Sequence, residues 1–299
     1  MMMLTFVIAT VFQAGSLPAQ RVARDAARLT VPAKSGAPVR ERPQPQAKRI
    51  AQPARTRARV VVDAGHGGRD PGSSMRASVS EKDVTLQVAL RVGDALRARG
   101  IDVVFTRTTD TLVALDDRGR IANQAQGEVF ISIHVNAANP RWREPAAARG
   151  FETYFLAEAK TEDARRVEQM ENESARFESD SRVDSNDPLS FILSDMRQNE
   201  HLRESSDLAE IVQRHMHGVH PGPNRGVKQA GFRVLVSVFM PAVLVEIGFG
   251  TNGEEAAFMT EPAKQRAMAK AIAEATTEYL ERHQKRVGSG AGVAPGSHD

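Results

Sequence analysis

The sequence predicts an α/β fold: a single layered domain with a mostly parallel central sheet flanked by helices. Three observations carry that expectation. From Arg59 onward, short β-branched runs ("ARVVVDAG", "IDVVFTR", "VFISIHVNA", "AVLVEIGF") alternate with longer stretches of helical period, the pattern of parallel strands joined by covering helices. Hydrophobic residues make up 41% of the 299 and charged residues 26%, enough apolar material for one sizeable core. The candidate chemical groups lie at or just past the strand ends, where open α/β sheets bind ligands.

The chain begins with "MMMLTFVIATVFQAGSLPAQ". Its apolar segment of about twelve residues and small residues near Ala19 read as a secretory leader over 1–19. No Lys or Arg precedes that segment, so a short buried segment is the alternative. Residues 20–57 are Pro- and Ala-rich and basic. From Arg21 to Arg59 there are eleven Lys and Arg against Asp25 and Glu41. This reads as a solvated linker, with contact to anionic envelope polymers or lipid headgroups as the alternative. The whole chain is only +3, so the remainder is mildly acidic and gives no case for a nucleic-acid-binding domain. No apolar run approaches the roughly twenty residues that span a bilayer, so no transmembrane segment is expected in the mature chain. Cysteine is absent, which excludes disulfides, thiolate metal sites and cysteine nucleophiles. A metal site here has to use His, Asp and Glu.

The folded region is expected over 58–284. "ARVVVDAG" is a strand, and "EKDVTLQVALRVGDALRARG" a helix with Ser80 at its N-cap and Gly100 closing it. "IDVVFTR" is a strand, "LDDRGRIANQA" a helix, and "VFISIHVNA" and "GFETYFL" are strands. The rhythm then breaks. Residues 157–187 carry ten acids against five bases, and helical spacing returns with "DPLSFILSDMRQNEHLRESSDLAEIVQRHMH", so 157–207 reads as a polar helical insertion. "FRVLVSV" and "AVLVEIGF" read as strands, one last helix follows Asn252, and 285–299 reads as a disordered tail.

Four polar groups converge on one sheet edge in this reading. His66 follows the first strand, His134 ends the third, Glu246 ends "AVLVE", and Glu81 opens the first helix. Two histidines and a carboxylate form the ligand set of a catalytic zinc with one position left open. Such a zinc (Zn2+) activates water and polarises a carbonyl. A second carboxylate must then move the proton, and Glu246 on its apolar strand fits, because burial raises its pKa. Each group also has a plainer reading: His66 and His134 as hydrogen-bonded loop residues, Glu81 as a helix-dipole carboxylate, Glu246 as half of a buried ion pair. His201, His215, His217, His220, His283 and His298 read as surface or helix positions.

The blocks "VVVDAGHGGRDPGS", "SEKDVTLQVAL", "FTR", "LDDRGRIAN", "FISIHVNA", "NRGVKQAGFRVL" and "PAVLVEIGFGTN", in this order, resemble the zinc-dependent N-acetylmuramoyl-L-alanine amidases of the type 3 class over about residues 58–283. The resemblance implies a zinc-hydrolase-like, exopeptidase-like fold. It also implies hydrolysis of the amide between N-acetylmuramic acid and the L-alanine of the peptidoglycan stem peptide. His66, Glu81 and His134 would be the zinc ligands and Glu246 the catalytic carboxylate. Ser80, Val135 and Gly250 depart from the family's usual Thr, Ala and bulkier apolar residue. The segment "RRVEQMENESARFE", with the helical stretch after it, is similar to the insertion by which cell-division amidases of Gram-negative envelopes block their zinc until an activator protein displaces it. An acid from 157–207 in the open zinc position is the corresponding expectation; a solvated hairpin without control function is the alternative. A periplasmic or cell-envelope location, and a role in cell separation or wall remodelling, follow from the same resemblance. Two other functions stay open: a non-catalytic peptidoglycan- or partner-binding protein on this fold, and a zinc peptidase. A two-metal peptidase would need a bridging acid, for which Asp63 is the nearby candidate.

Overall fold

The structure, a computed structural model, describes residues 57–76, 78–178 and 188–290, with backbone alone for 188–200 and 287–290. The expected leader, nearly all of the linker and the last nine residues lie outside the described residues.

Among the described residues, six strands form one sheet: β1 (Arg59–Ala64), β2 (Asp102–Phe105), β3 (Val129–Asn136), β4 (Phe151–Leu156), β5 (Asn224–Ala230) and β6 (Ala242–Phe249). Their order is β2-β1-β3-β6-β4-β5. All neighbours run parallel except β4 against β6. Every position of β1, β3 and β6 is buried except the half-buried Arg59, as a sheet covered on both faces requires. The helices are α1 (Glu81–Arg97), α2 (Leu115–Gln124), α3 (Glu162–Asn172), α4 (Pro188–His217), α5 (Arg233–Val236), α6 (Gly253–Thr260) and α7 (Pro262–Gly290). α1, α4 and α7 pack on one face around Val62, Val88, Ile131, Val212, Val245 and Ile272. α2, α3 and α5 cover the other face around Val61, Phe130, Tyr154, Val167, Phe232 and Leu244. Among the described residues no helix is long and apolar enough to cross a membrane.

α1 buries Val84, Val88, Ala89, Val92 and Leu96, the i, i+4 stripe of an amphipathic helix. Gly100, expected to close it, takes a φ of 78°. Three elements differ from the sequence reading. "FRVLVSV" is not a strand: α5 and its flanks turn Phe232, Val234 and Leu235 into the lower core. The strand is the preceding "NRGVKQA", an edge strand whose polar residues hide the signal. The last helix is two, because Pro262 holds Glu261 extended (φ −75°, ψ 122°). α7 then runs on to Gly290, past the expected boundary at 284. Within the insertion, α3 and a short 3-10 turn (Glu173–Phe177) pack against the sheet, and α4 continues through the expected end at 207.

β2 and β3 flank β1 on opposite sides, and α1, leading to β2, covers one face of the sheet while α2, leading on to β3, covers the other. That opens a crevice at the carboxyl ends of β1 and β3, where such folds place their ligands.

Candidate metal centre

β1 delivers the chain into "GHGG". His66 itself takes a φ of 59°, a left-handed conformation that costs a non-glycine residue about 1 kcal/mol or more. The surroundings impose it. Arg118 Nη2 donates to the His66 carbonyl at 2.9 Å, Gly67 and Asp70 exchange backbone hydrogen bonds, and Asp70 Oδ2 lies 2.8 Å from His66 Nδ1. A Cβ on Gly65 would stand 2.5 Å from the His134 ring, so only glycine lets the two imidazoles approach. Their centroids are 4.9 Å apart.

Glu81 is the first residue of α1. Ser80 occupies the N-cap as expected, but its hydroxyl donates to Asp83 and caps no backbone N–H. Glu81 is fixed by backbone donors instead: Val135 N–H to Oε1 at 2.8 Å and Ser73 N–H to Oε2 at 2.7 Å. Gly72, with a φ of 72°, leaves the space its carboxylate fills. Glu81 Oε1 is 3.1 Å from His66 Nε2 and 3.4 Å from His134 Nδ1. The three expected ligands are therefore together.

A fourth donor joins them from α3. Glu171 Oε2 lies 2.7 Å from His134 Nδ1 and 3.2 Å from His66 Nε2. One donor atom from each of the four residues falls within 4.8 Å of all the others, and all four are buried. These short separations are not hydrogen bonds: His66 Nε2, His134 Nδ1 and Glu171 Oε2 have no partner of hydrogen-bonding geometry. Donors that crowd together while aiming past one another mark a common centre between them. Two imidazoles and two carboxylates suit a divalent ion such as zinc, and Asp70 on the far nitrogen of His66 supplies the outer hydrogen bond such ligands carry. The electrostatics agree. Burial opposes charge on both histidines, yet Glu81 and Glu171 raise His66 well above its ordinary value, and Glu171 foremost raises His134 to about 9. Burial opposes the Glu81 carboxylate too, but His66 and His134 hold it well below the usual range. A cation in the centre satisfies the same field.

Glu246 is in register with His134 on β3 and with Glu152 on β4. It is fully buried, and neither carboxylate oxygen has a hydrogen-bond partner. Burial first, then Glu171, Glu81 and Glu152, push its proton affinity well above the ordinary carboxylate value. Glu152 is equally buried but fully partnered. It accepts from Asn136 Nδ2 and Tyr154 Oη at 2.7 Å, and pairs with Arg225 Nε at 2.8 Å and Lys228 Nζ at 2.5 Å. Of two adjacent buried carboxylates, one is fully satisfied and the other bare.

Asp63 is not a bridging ligand. Arg118 Nη1 (2.7 Å), Ser132 Oγ (2.6 Å) and Thr106 Oγ1 (2.5 Å) all donate to it. His220, read as a surface or helix position, is buried between Phe151 and Phe258. Its Nδ1 accepts from Gly222 N–H, and burial lowers its pKa to about 4. Val135 and Gly250, two separate departures in the sequence, meet in space: a Cβ on Gly250 would lie 3.2 Å from Val135 Cγ1 and 2.7 Å from Met75 Cγ. The larger residue at one position takes the room given up at the other.

Glu171 was not singled out from the sequence, which gave only an unspecified acid in 157–207. A signal was there. Ala164, Val167 and Glu171 share the buried face of an otherwise polar helix, so a carboxylate stands where the stripe calls for an apolar residue. A cavity of about 690 Å³ opens beside His66 and Glu171, lined also by Ser73, Arg141 and Arg166.

Residues 60–278 match the N-acetylmuramoyl-L-alanine amidase family. The chain is 34% identical over 224 residues to the N-acetylmuramoyl-L-alanine amidase AmiA of Escherichia coli (strain K12), covering 74% of this chain and 75% of that protein. The crystal structure of an N-acetylmuramoyl-L-alanine amidase from Clostridium difficile 630 superposes with a TM-score of 0.56 at 28% identity, over 75% of this chain and 97% of that one. AmiC2 of Nostoc punctiforme, also titled an N-acetylmuramoyl-L-alanine amidase, gives 0.55 at 28% identity with the same coverage. With the fold, the crevice and the buried His and Glu cluster in place, the chain belongs to the N-acetylmuramoyl-L-alanine amidase family, whose members are enzymes of peptidoglycan.

Proposed function

We propose that this chain is an exported, zinc-dependent hydrolase of the amide between N-acetylmuramic acid and the L-alanine of the stem peptide, held closed by Glu171. The observation that carries the reading is the bare, buried Glu246 in register with a ligand of the four-donor cluster. His66, Glu81 and His134 hold the zinc, which when bound supplies a Lewis acid for the scissile carbonyl and acidifies water. Glu246 takes a proton at a carboxylate oxygen and returns it to the departing amine. Its raised proton affinity suits both directions of transfer near neutral pH. Asp70 orients His66, and the backbone donors of Ser73 and Val135 hold Glu81 in place. Because peptidoglycan is an envelope polymer, the leader-like N-terminus and a periplasmic or envelope location belong to the same reading, as does a role in cell separation.

Glu171 fills the position that substrate needs, so the resting enzyme is shut until a partner protein draws α3 away. Support comes from the anchors of α3 and its 3-10 turn, which beyond the buried Ala164 and Val167 are polar side chains. Asn172 Nδ2 and Glu168 Oε2 bond the two backbone groups of Gly231, at 3.1 and 2.9 Å, and Ser174 Oγ sits 3.2 Å from His66 Nδ1.

The test is digestion of purified sacculi by the chain from residue 20, with bound zinc counted. The Glu171→Ala variant releases stem peptides, and Glu171→Ala with Glu246→Gln keeps zinc and releases none. Zinc binding without release by Glu171→Ala contradicts the proposal.

A further inference from the structure

The same helix that carries Glu171 carries a second carboxylate, Asp163, in its first turn. Asp163 Oδ2 lies 3.2 Å from Arg225 Nη2 and 3.3 Å from Lys228 Nζ. Both cations also hold Glu152, the buried neighbour of Glu246. Two carboxylates thus share two cations, and only Glu152 belongs to the sheet. Arg225 lies 5.0 Å over the Phe249 ring and Lys228 5.9 Å over Tyr154, so neither swings freely. If α3 leaves, Asp163 goes with it, and so does Arg166, its other partner. Arg225 and Lys228 are then left against Glu152 alone, one positive charge in excess beside Glu246. An unbalanced, half-buried pair of cations is a place for an anion.

We propose that Arg225 and Lys228 form a carboxylate subsite for the stem peptide, and that Asp163 occupies it in the closed enzyme as a substrate mimic. This rests on the amidase reading above and gives the closing segment two points of imitation, Glu171 at the reacting centre and Asp163 at the peptide's acid. The spacing fits. Eight residues of helix separate the two, about 12 Å at 1.5 Å per residue. An extended peptide covers that distance in roughly three or four residues. The subsite therefore reads a carboxylate that far along the stem from the scissile amide, such as the free C-terminus of a tripeptide.

Two probes test it: N-acetylmuramoyl-tripeptide with a free C-terminal carboxylate, and the same compound as its C-terminal carboxamide. Binding is measured by calorimetry and turnover by release of peptide, both on the zinc-loaded Glu171→Ala chain. The acid binds about tenfold more tightly than the carboxamide, a difference of about 1.4 kcal/mol. Arg225→Gln and Lys228→Gln each erase most of that preference, acid and carboxamide being compared within each variant, and Arg225→Lys keeps part of it. Asp163→Asn, alone in the otherwise unaltered chain, removes the mimic and raises affinity for the acid several-fold. Thermal unfolding checks each variant. If Arg225→Gln does not fold, Lys228→Gln and Asp163→Asn decide. Equal binding of the two probes, binding of neither, or a preference that survives the Arg225 and Lys228 substitutions overturns the subsite. A preference in binding without hydrolysis of either probe leaves the subsite standing and counts against the amidase reading alone.

Discussion

The sheet edge that supplies His66, Glu81, His134 and Glu246 and the helix α3 that supplies Glu171 meet at one cluster, yet they are built on different principles. At the sheet edge every group is set by main chain or by fully buried partners: Val135 and Ser73 N–H on Glu81, Arg118 on the His66 carbonyl, strand register on His134 and Glu246. α3 sets Ala164 and Val167 into the core, but its ties to the sheet are side chains that water reaches, such as Asp163 with Arg225 at 24% and 26% exposure. Exposed ion pairs contribute little and exchange readily with solvent. Buried pairs cost several kcal/mol to break. The first construction fixes a geometry; under the proposed closed state, the second holds a residue that leaves.

Substitutions sharpen that contrast in order of size. Glu246→Gln, in the Glu171→Ala background, lowers kcat on muramoyl-peptide by about 10²–10⁴-fold, the usual contribution of a positioned acid-base group, with zinc content unchanged. A loss that tracks zinc content would show that Glu246 works through the metal site. Next in size is the Asp63–Arg118 pair, both members buried. Arg118→Met strands the Asp63 carboxylate and costs about 3–5 kcal/mol of stability, read as a fall in Tm and in denaturant midpoint. The pH dependence follows from the same pair. Burial opposes the Asp63 charge, but Arg118, Ser132 and Thr106 together hold its pKa below the ordinary 3.8. The carboxylate therefore adds stability above about pH 4 that is lost as pH falls through the folded-state pKa. Asp63→Asn flattens that acid limb in unfolding scans; an unchanged limb would remove Asp63 from the account. Glu171→Ala comes third, raising basal sacculus digestion about tenfold or more, as expected when a closed state outweighs the open one by about 1.4 kcal/mol. Gly250→Ala is the smallest, costing about 1 kcal/mol by overpacking. Val135→Ala in the same chain relieves that part of the cost that arises at the 3.2 Å contact.

What could be read from the sequence divides along the same line. The β-branched runs of β1, β3 and β6 are buried on both faces and announce themselves, so His66, His134 and Glu246 could be set on one sheet edge from strand position. β5 was missed because an edge strand carrying Arg225, Lys228 and Gln229 has neither the alternation nor the apolar density that marks a strand. Pro262 split a helix whose periodicity runs through it. Glu171 was legible only as some acid in a polar segment, because its meaning depends on where α3 docks, and that docking is written in long-range pairs such as Glu168 with Gly231. The compensation between Val135 and Gly250, 115 residues apart in the chain, is invisible until the fold brings them together.

The central claim is that three donors are permanent and the fourth is removable. Zinc retention against a competing chelator, compared between Glu81→Gln and Glu171→Ala, tests it most directly. The account predicts that Glu81→Gln gives up its zinc readily, whereas Glu171→Ala holds close to one zinc per chain at chelator concentrations that strip Glu81→Gln. If the two variants lose zinc equally, Glu171 is a structural ligand like the others, and the closed-enzyme account fails.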